Sequence, residues 1–394
     1  MRFLIFLFNP FISGINSLVN INKKNALAFL YLWFIIFGIG FVGKSEYLDS
    51  SFYIEDFYIQ SHYTVNDYRA IINEYFTYES NIKDIYTITV NFIVSRFTTN
   101  YHWVFFVYAI VFGFFYTKCL RYLIPYFSKT PFFYILLFLF CFSNPIFNIN
   151  GVRFWTAAWI GVFVLFKILL EKKYWYFVLL AITPLIHGSF VFWIMVFIIA
   201  LFVPKPHFLW TILYVLSFFV SITSSISLVT GYSAFMPQYL SQMLWNYVES
   251  GGATDIMDVV GERVPLYARI LGELPNIILS VLTIILIIKK KELEKNDTRK
   301  SLIGVYLVLA TIVNFAKFVP SLGGRFQMVI IPFLVIVWFY NFEKLQEINW
   351  VLYLVPIAYS YRILYWIRYM FLVTDLGLYF FPAPVTIVKY LFLS

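Results

Sequence analysis

Charge is what this chain has least of. Asp, Glu, Lys and Arg make up 12% of its 394 residues against 61% apolar side chains, and the mean hydropathy is +0.80. No water-soluble fold covers that much apolar side chain with so little polar surface, so a soluble globular domain is excluded. Cysteine is nearly missing as well. Cys119 and Cys141 lie beside or within apolar stretches without metal-site spacing, which argues against a disulfide framework and a thiolate metal centre. The sequence has no Asp-x-Asp or comparable carboxylate motif, and neither a metal nor any other cofactor is expected. A cleavable signal is also unexpected. The start, Met1 to Phe8, is apolar but has no small-residue cleavage site before the polar Asn16 to Lys24 stretch, so it reads as a retained interfacial helix.

What the chain has in abundance is long apolar runs. They recur from Ala26 to Phe371 at about 20 residues each, the length of helix that crosses a bilayer core. In lipid every backbone polar group must be satisfied within the structure, so the expected fold is all-α. It is a polytopic membrane bundle of about 10–11 spans in a single domain, residues 1–394. Aromatic residues reach 23%, with 47 Phe. That exceeds what two interfacial belts require, so many pack between helices or face lipid.

The formal charge of +9 would suggest nucleic acid in a soluble protein. Here the basic residues sit mostly in short loops, so the charge is read as topology and no nucleic-acid partner is expected. Lys23-Lys24 precede a first span, Ala26 to Val42. Lys44 to Asp84 then carries eight acidic against three basic residues, which puts the N-terminus inside and a loop of residues 44–100 outside. Ile85 to Phe97, within that loop, is too short to span. Trp103 to Ile124, Phe132 to Ile149 and Val152 to Leu170 then alternate down to Lys172-Lys173 on the inside. The most basic loop, residues 289–301, is assigned to the cytoplasm, which makes the polar loop of residues 231–265 external.

These assignments put Lys173 and Lys205 on the same side. The 30 residues from Tyr174 to Val203 must therefore leave and return, too few for two crossings. The break at Pro184-Leu185-Ile186-His187-Gly188-Ser189 predicts a re-entrant or short helical hairpin over residues 174–203, with His187 at its tip. That tip would stand roughly 18–20 Å from the inner end. The competing arrangement, one long tilted helix kinked at Pro184, forces Lys289 to Lys300 outside. Leu302 to Val319, Phe326 to Tyr340 and Val351 to Phe371 complete the spans, and Thr374 onward is expected as a short outer or interfacial tail. No internal repeat is evident.

Ionisable side chains are costly in lipid and mark sites by default. In this topology Arg153, Arg263, Arg269, Lys317 and Arg325 all fall at outer ends of spans, against the positive-inside tendency. Each alone has an ordinary explanation, snorkelling to the headgroups. Together, each beside a Gly, a Pro or an acidic residue, they predict an anionic ligand at the outer face. Arginine's planar fork suits phosphate oxygens. Asn150-Gly151-Val152-Arg153 and Gly323-Gly324-Arg325-Phe326 are both expected to set arginine at a helix start, where free N–H groups favour an anion. A diphosphate is the natural guest. His187 carries a proton near neutral pH and is the candidate general base, although a buried histidine bonding across helices would look the same. His62, His102 and His207 read as ordinary. Asp67, Arg69 and Glu74, on an external amphipathic stretch, are candidates to touch a sugar or are simply solvated.

The Arg153-helix-Lys172-Lys173-helix-His187-Gly188-Ser189 block, the Asp67-Tyr68 stretch, the aromatic region Tyr101 to Tyr122 with its basic end, and Arg325 opening a late span together resemble the EpsG family, within the wider Wzy-type polymerases of bacterial O-antigen, capsule and exopolysaccharide. The likeness runs roughly from Ala26 to Tyr340. It implies a multi-pass glycosyltransferase of the bacterial cytoplasmic membrane with its site facing outside. The donor and acceptor would be oligosaccharide repeats linked to undecaprenyl diphosphate, and a chain-length regulator would be a possible partner. Arg153 and Arg325 would then stabilise the leaving diphosphate while His187 accepts the acceptor's proton. A lipid-linked oligosaccharide flippase or other transporter, an O-antigen ligase and a membrane acyltransferase remain as alternatives.

Overall fold

The computed structural model describes residues 2–44, 48–77, 82, 84–202, 207–219, 265–289, 293, 297–318 and 320–393. Arg263, nearly all of the loop 231–265 and residues 290–292 and 294–296 of the basic loop lie outside the described residues. Within them the regular secondary structure is all helical, with a single isolated antiparallel bridge between Phe41 and Thr374.

In chain order the helices begin with α1 (Arg2–Phe8), α2 (Pro10–Val19), α3 (Ala26–Ile39), α4 (Asp49–Ser61), α5 (Val65–Thr77) and α6 (Tyr86–Ser95). Then come α7 (His102–Leu120), α8 (Pro131–Ser143), α9 (Val152–Glu171), α10 (Phe177–Ile186), α11 (Phe190–Phe202) and α12 (His207–Leu216). The last group is α13 (Leu266–Ile288), α14 (Asp297–Phe315), α15 (Pro320–Tyr340), α16 (Leu354–Val373), α17 (Gly377–Phe380) and α18 (Ala383–Phe392). Among the described residues four helical stretches are long and apolar enough to cross a bilayer: His102–Tyr126, Pro131–Glu171, Leu266–Ile288 and Gly323–Tyr340. Shorter apolar helices, α3, α10 and α11 among them, accompany these. The chain is an integral membrane protein.

The chain divides into two compact units. The first holds residues 1–134, 144–191 and 364–394, the second residues 135–143 and 192–363. In the first unit α3 and α7 pack along each other through aromatic rings: Phe41 stacks on Phe105 at 5.3 Å and Phe34 meets Tyr116 at 4.5 Å. Helix α9 lies against α7 and is buried along almost its whole length, from Val152 to Leu169. Lys172, in the left-handed region at φ 58°, ends it, and Glu171 gathers Lys167 at 2.6 Å and Lys173 at 2.9 Å around the turn.

Two expected loops turn out to be built. Residues 44–100, read as an external loop, contain α4, α5 and α6, and α4 packs on α6. The segment after Thr374 is docked: Asp375 N–H donates to Gly40 O at 3.2 Å, and α18 packs on α3, α7 and α1. Asp375 accepts from Lys389 Nζ at 2.8 Å and from the Tyr390 hydroxyl at 2.6 Å. Partial burial raises the Asp375 carboxyl, but these two bonds and the Gly377 N–H outweigh it and hold it well below the usual carboxylate range.

In the second unit α14 packs on α15 and α12, with Trp193 of α11 stacked on Phe326 at 4.5 Å. Trp338 donates to Asn349 Oδ1 at 3.0 Å, tying α15 to the 3₁₀ segment Phe342–Tyr353.

Candidate functional site

Arg153 is the second residue of α9, directly after the Gly151 cap, as the sequence predicts. Its Nη1 donates to Asp84 Oδ2 at 3.1 Å. The carboxylate side chain is only 2% exposed and the guanidinium side chain 38%, so one end of the pair is sealed and the other open to approach. Asp84 sits at the approach to α6, a region that hydropathy alone assigns to the solvated surface. Its burial comes from tertiary contact: the next residue, Ile85, donates its N–H to Leu185 O at 3.0 Å.

That backbone bond joins the Asp84 segment to the loop carrying His187. Phe154, the neighbour of Arg153, meets the His187 ring edge-on at 5.3 Å. Arg153 and His187, 34 positions apart in the chain, therefore belong to one neighbourhood in the first unit. The chain is broken between α10 and α11 at His187–Ser189, as expected from the Pro-Gly pattern. Helix α10 packs on α9, and α11 from Phe192 onward belongs to the second unit.

His187 Nδ1 lies 2.8 Å from Ser189 Oγ and accepts weakly from Ser189 N–H at 3.3 Å. The Ser189 N–H can only donate and favours the tautomer with its proton on Nε2. The hydroxyl also accepts, so that in the other tautomer Nδ1–H donates to Ser189 Oγ and leaves Nε2 free to take a proton. Such a partner suits a group that must gain and lose a proton at Nε2.

More acid surrounds Arg153 than the sequence reading allowed. Tyr53 lies under the guanidinium, 5.8 Å from ring centroid to Cζ, and Asp49 and Asp56 are within its field. Asp49 sits at the start of α9: a Cβ on Gly151 would be 3.3 Å from Asp49 Oδ2. Asn150 accepts from Ser50 N–H at 2.9 Å and donates to the Tyr369 hydroxyl. The helix start expected to cradle an anion therefore already faces a carboxylate. Arg153 contributes directed N–H donors there, not a surplus of positive charge.

The other predicted cations lie in the second unit. Arg269 is exposed on the first turn of α13, and Arg325 is exposed on α15. Arg325 does not open its helix as expected. Proline cannot donate its missing N–H and starts a helix readily, so α15 begins at Pro320 and Arg325 lies beyond its first turn. Lys317 is half-buried in the 3₁₀ turn Ala316–Phe318. Asp67 and Arg69 are on the exposed helix α5. Asp67 Oδ2 accepts from Thr64 N–H at 2.7 Å while Thr64 Oγ1 accepts from Asp67 N–H at 3.2 Å, a reciprocal cap. These bonds lower the Asp67 carboxyl below its ordinary range. His62 is exposed and His102 buried against Tyr390 at 5.1 Å. No group of three or more His, Cys, Asp or Glu able to hold a metal occurs among the described residues.

These features define an all-helical integral membrane protein with an Arg–Asp pair and a histidine gathered at a break in its apolar helices. Residues 25–382 match the model of the EpsG family, and the chain belongs to that family. As a member it is a membrane protein tied to exopolysaccharide biosynthesis. No curated protein and no solved structure matches the chain.

Proposed function

We propose that the chain is a Wzy-type polysaccharide polymerase, joining oligosaccharide repeats carried on undecaprenyl diphosphate at the outer side of the cytoplasmic membrane. The observation that carries this reading is the Arg153–Asp84 pair at the start of a membrane helix whose next residue, Phe154, packs on His187, in a family tied to exopolysaccharide. The acceptor hydroxyl attacks the anomeric carbon of the donor. Its proton passes to His187 Nε2 as the bond to the lipid diphosphate breaks. Arg153, aimed by Asp84, donates hydrogen bonds to the oxygens that gain charge. The chemistry makes a glycosidic C–O bond at the cost of a glycosyl-phosphate C–O bond, so no external reductant, oxidant or nucleotide enters.

Deleting the gene tests the class. A polymerase deletion leaves single repeats at the surface, a ligase deletion leaves no repeats on the lipid core, and a flippase deletion traps lipid-linked repeats inside. Either of the last two outcomes overturns the proposal. Reporter fusions at Lys205 and Gly252 test the topology behind it, with opposite sides expected.

A further inference from the structure

The start of α9 carries bonding capacity that the Arg153–Asp84 pair leaves unspent. Asp49, in the first turn of α4, is exposed, and among the described residues its carboxylate makes no hydrogen bond or salt bridge. Its Oδ2 and the indole Nε1 of Trp155 each stand 3.3 Å from the position that a Cβ on Gly151 would take. Gly151 thus keeps open a small space with a carboxylate on one side and an indole N–H on the other. Its φ of −102° suits any residue, so glycine serves here for room. Trp155 is half-buried, and its N–H has no acceptor among the described residues.

A third wall comes from α16. Asn150, buried beside Gly151, accepts from Ser50 N–H at 2.9 Å and donates to the Tyr369 hydroxyl at 2.5 Å, which ties α4 and α16 to the start of α9. The Tyr369 hydroxyl accepts in this bond and keeps its own proton to give. Tyr365, one turn earlier and exposed, stacks on Tyr369 at 6.1 Å and extends the aromatic surface. All of these residues belong to the first unit.

Charge narrows the choice of occupant. A cation would meet the guanidinium of Arg153, two residues after Gly151, and an anion would meet Asp49. An uncharged ligand rich in hydroxyls meets neither objection. Neighbouring hydroxyls donate together to one carboxylate, their oxygens accept from indole and phenol, and a C–H face lies on aromatic carbon. We infer that Asp49, Trp155 and Tyr369 form a subsite for one uncharged sugar ring, which holds that ring beside Arg153. The inference deepens the proposed polymerase reading and rests on it for the source of the sugar.

Binding to the full chain in lipid nanodiscs tests this, with the host's intact lipid-linked repeat and the same oligosaccharide released from its lipid as separate probes. We expect saturable binding that weakens about tenfold in Asp49→Asn, where a charged acceptor becomes a neutral one. It should weaken about fivefold in Trp155→Phe, which keeps a ring and loses the N–H. Gly151→Ala, whose Cβ enters the space, should weaken it as well, and Asp67→Ala should leave it unchanged. Binding of both probes, weakened by these variants, identifies the sugar itself as the ligand. Binding of the lipid-linked repeat alone, weakened by the same variants, identifies the tethered repeat as its source. Equal affinity in wild type and Asp49→Asn, tighter binding in Asp49→Asn as for an anionic ligand, or binding of neither probe overturns the subsite. Where Asp49→Asn fails to fold, unchanged affinity in Trp155→Phe overturns it instead. A deletion phenotype of the ligase or flippase kind would sink the polymerase reading while leaving these binding results intact, so the two failures are distinct.

Discussion

The two units treat buried charge in opposite ways. In the first, Arg153 is matched by a sealed carboxylate, Asp84, with Asp49 and Asp56 in its field. In the second, Glu273 lies in the field of both Lys317 and Arg362, and Lys317 forms no salt bridge among the described residues. A matched pair is a fixed instrument: it holds donors in one direction beside His187 and is suited to orienting reacting groups. Cations that look alike in the sequence thus separate into one held by a sealed carboxylate and one without a salt bridge among the described residues.

Several substitutions break or sharpen this contrast. The largest effect is expected at Gly323, where alanine drives a Cβ into the backbone of Ala316 and Lys317. Gly323→Ala should cost about 3 kcal/mol or more, whereas Gly324→Ala, which meets nothing within 4 Å, should be neutral or stabilise by about 1 kcal/mol. Thermal unfolding in one detergent compares the two, and equal melting points would mean that Lys317 is not held by this close approach. Next comes the pair Arg153→Met and Lys317→Met. The first removes the guanidinium opposite a sealed carboxylate and should cost about 2–3 kcal/mol, less than a fully buried pair because Arg153 is part-exposed. The second removes a half-buried cation that forms no salt bridge among the described residues and should cost less. An equal or larger cost in Lys317→Met would show that the charge in the second unit is matched after all.

Smaller effects lie away from both sites. Asp67→Ala loses the reciprocal cap of α5 and should leave polysaccharide length unchanged; shortened chains would support the sugar-binding role expected from sequence. The smallest is the Asp375 latch, which is part-exposed. Its folded carboxyl is depressed, so its contribution is present above the unfolded value of about 3.9 and fades as pH falls below it. Protection of α18 from hydrogen exchange, taken relative to the intrinsic rate at each pH, should therefore fall below about pH 4 in wild type and be lower at neutral pH in Asp375→Asn. Protection indifferent to both would show that the latch does not hold the helix.

Hydropathy made the helical membrane fold legible, because apolar runs of spanning length have few other uses. Pro184 and Gly188 marked the break between α10 and α11 for a local reason, the backbone they disfavour or allow. The same readings put Arg153 and His187 at one site, and the structure packs Phe154, beside Arg153, on His187. Asp84 was not legible. Its neighbours are polar, and its burial depends on a backbone bond from Ile85 to Leu185, 100 positions away. Arg362 and Glu273 were missed similarly, since a charge within or beside an apolar run does not disclose which helix it will face. The helix-start reading of Arg325 misled because glycines are a weak start signal and Pro320 is a strong one. The cap that Asp67 makes with Thr64 was legible in their three-residue spacing but was not read from the sequence.

The most direct test is a polysaccharide gel from cells whose only copy carries His187→Ala, with the protein's membrane level checked beside wild type. The account predicts normal protein in the membrane and single repeats in place of a ladder. A ladder of wild-type length would contradict it.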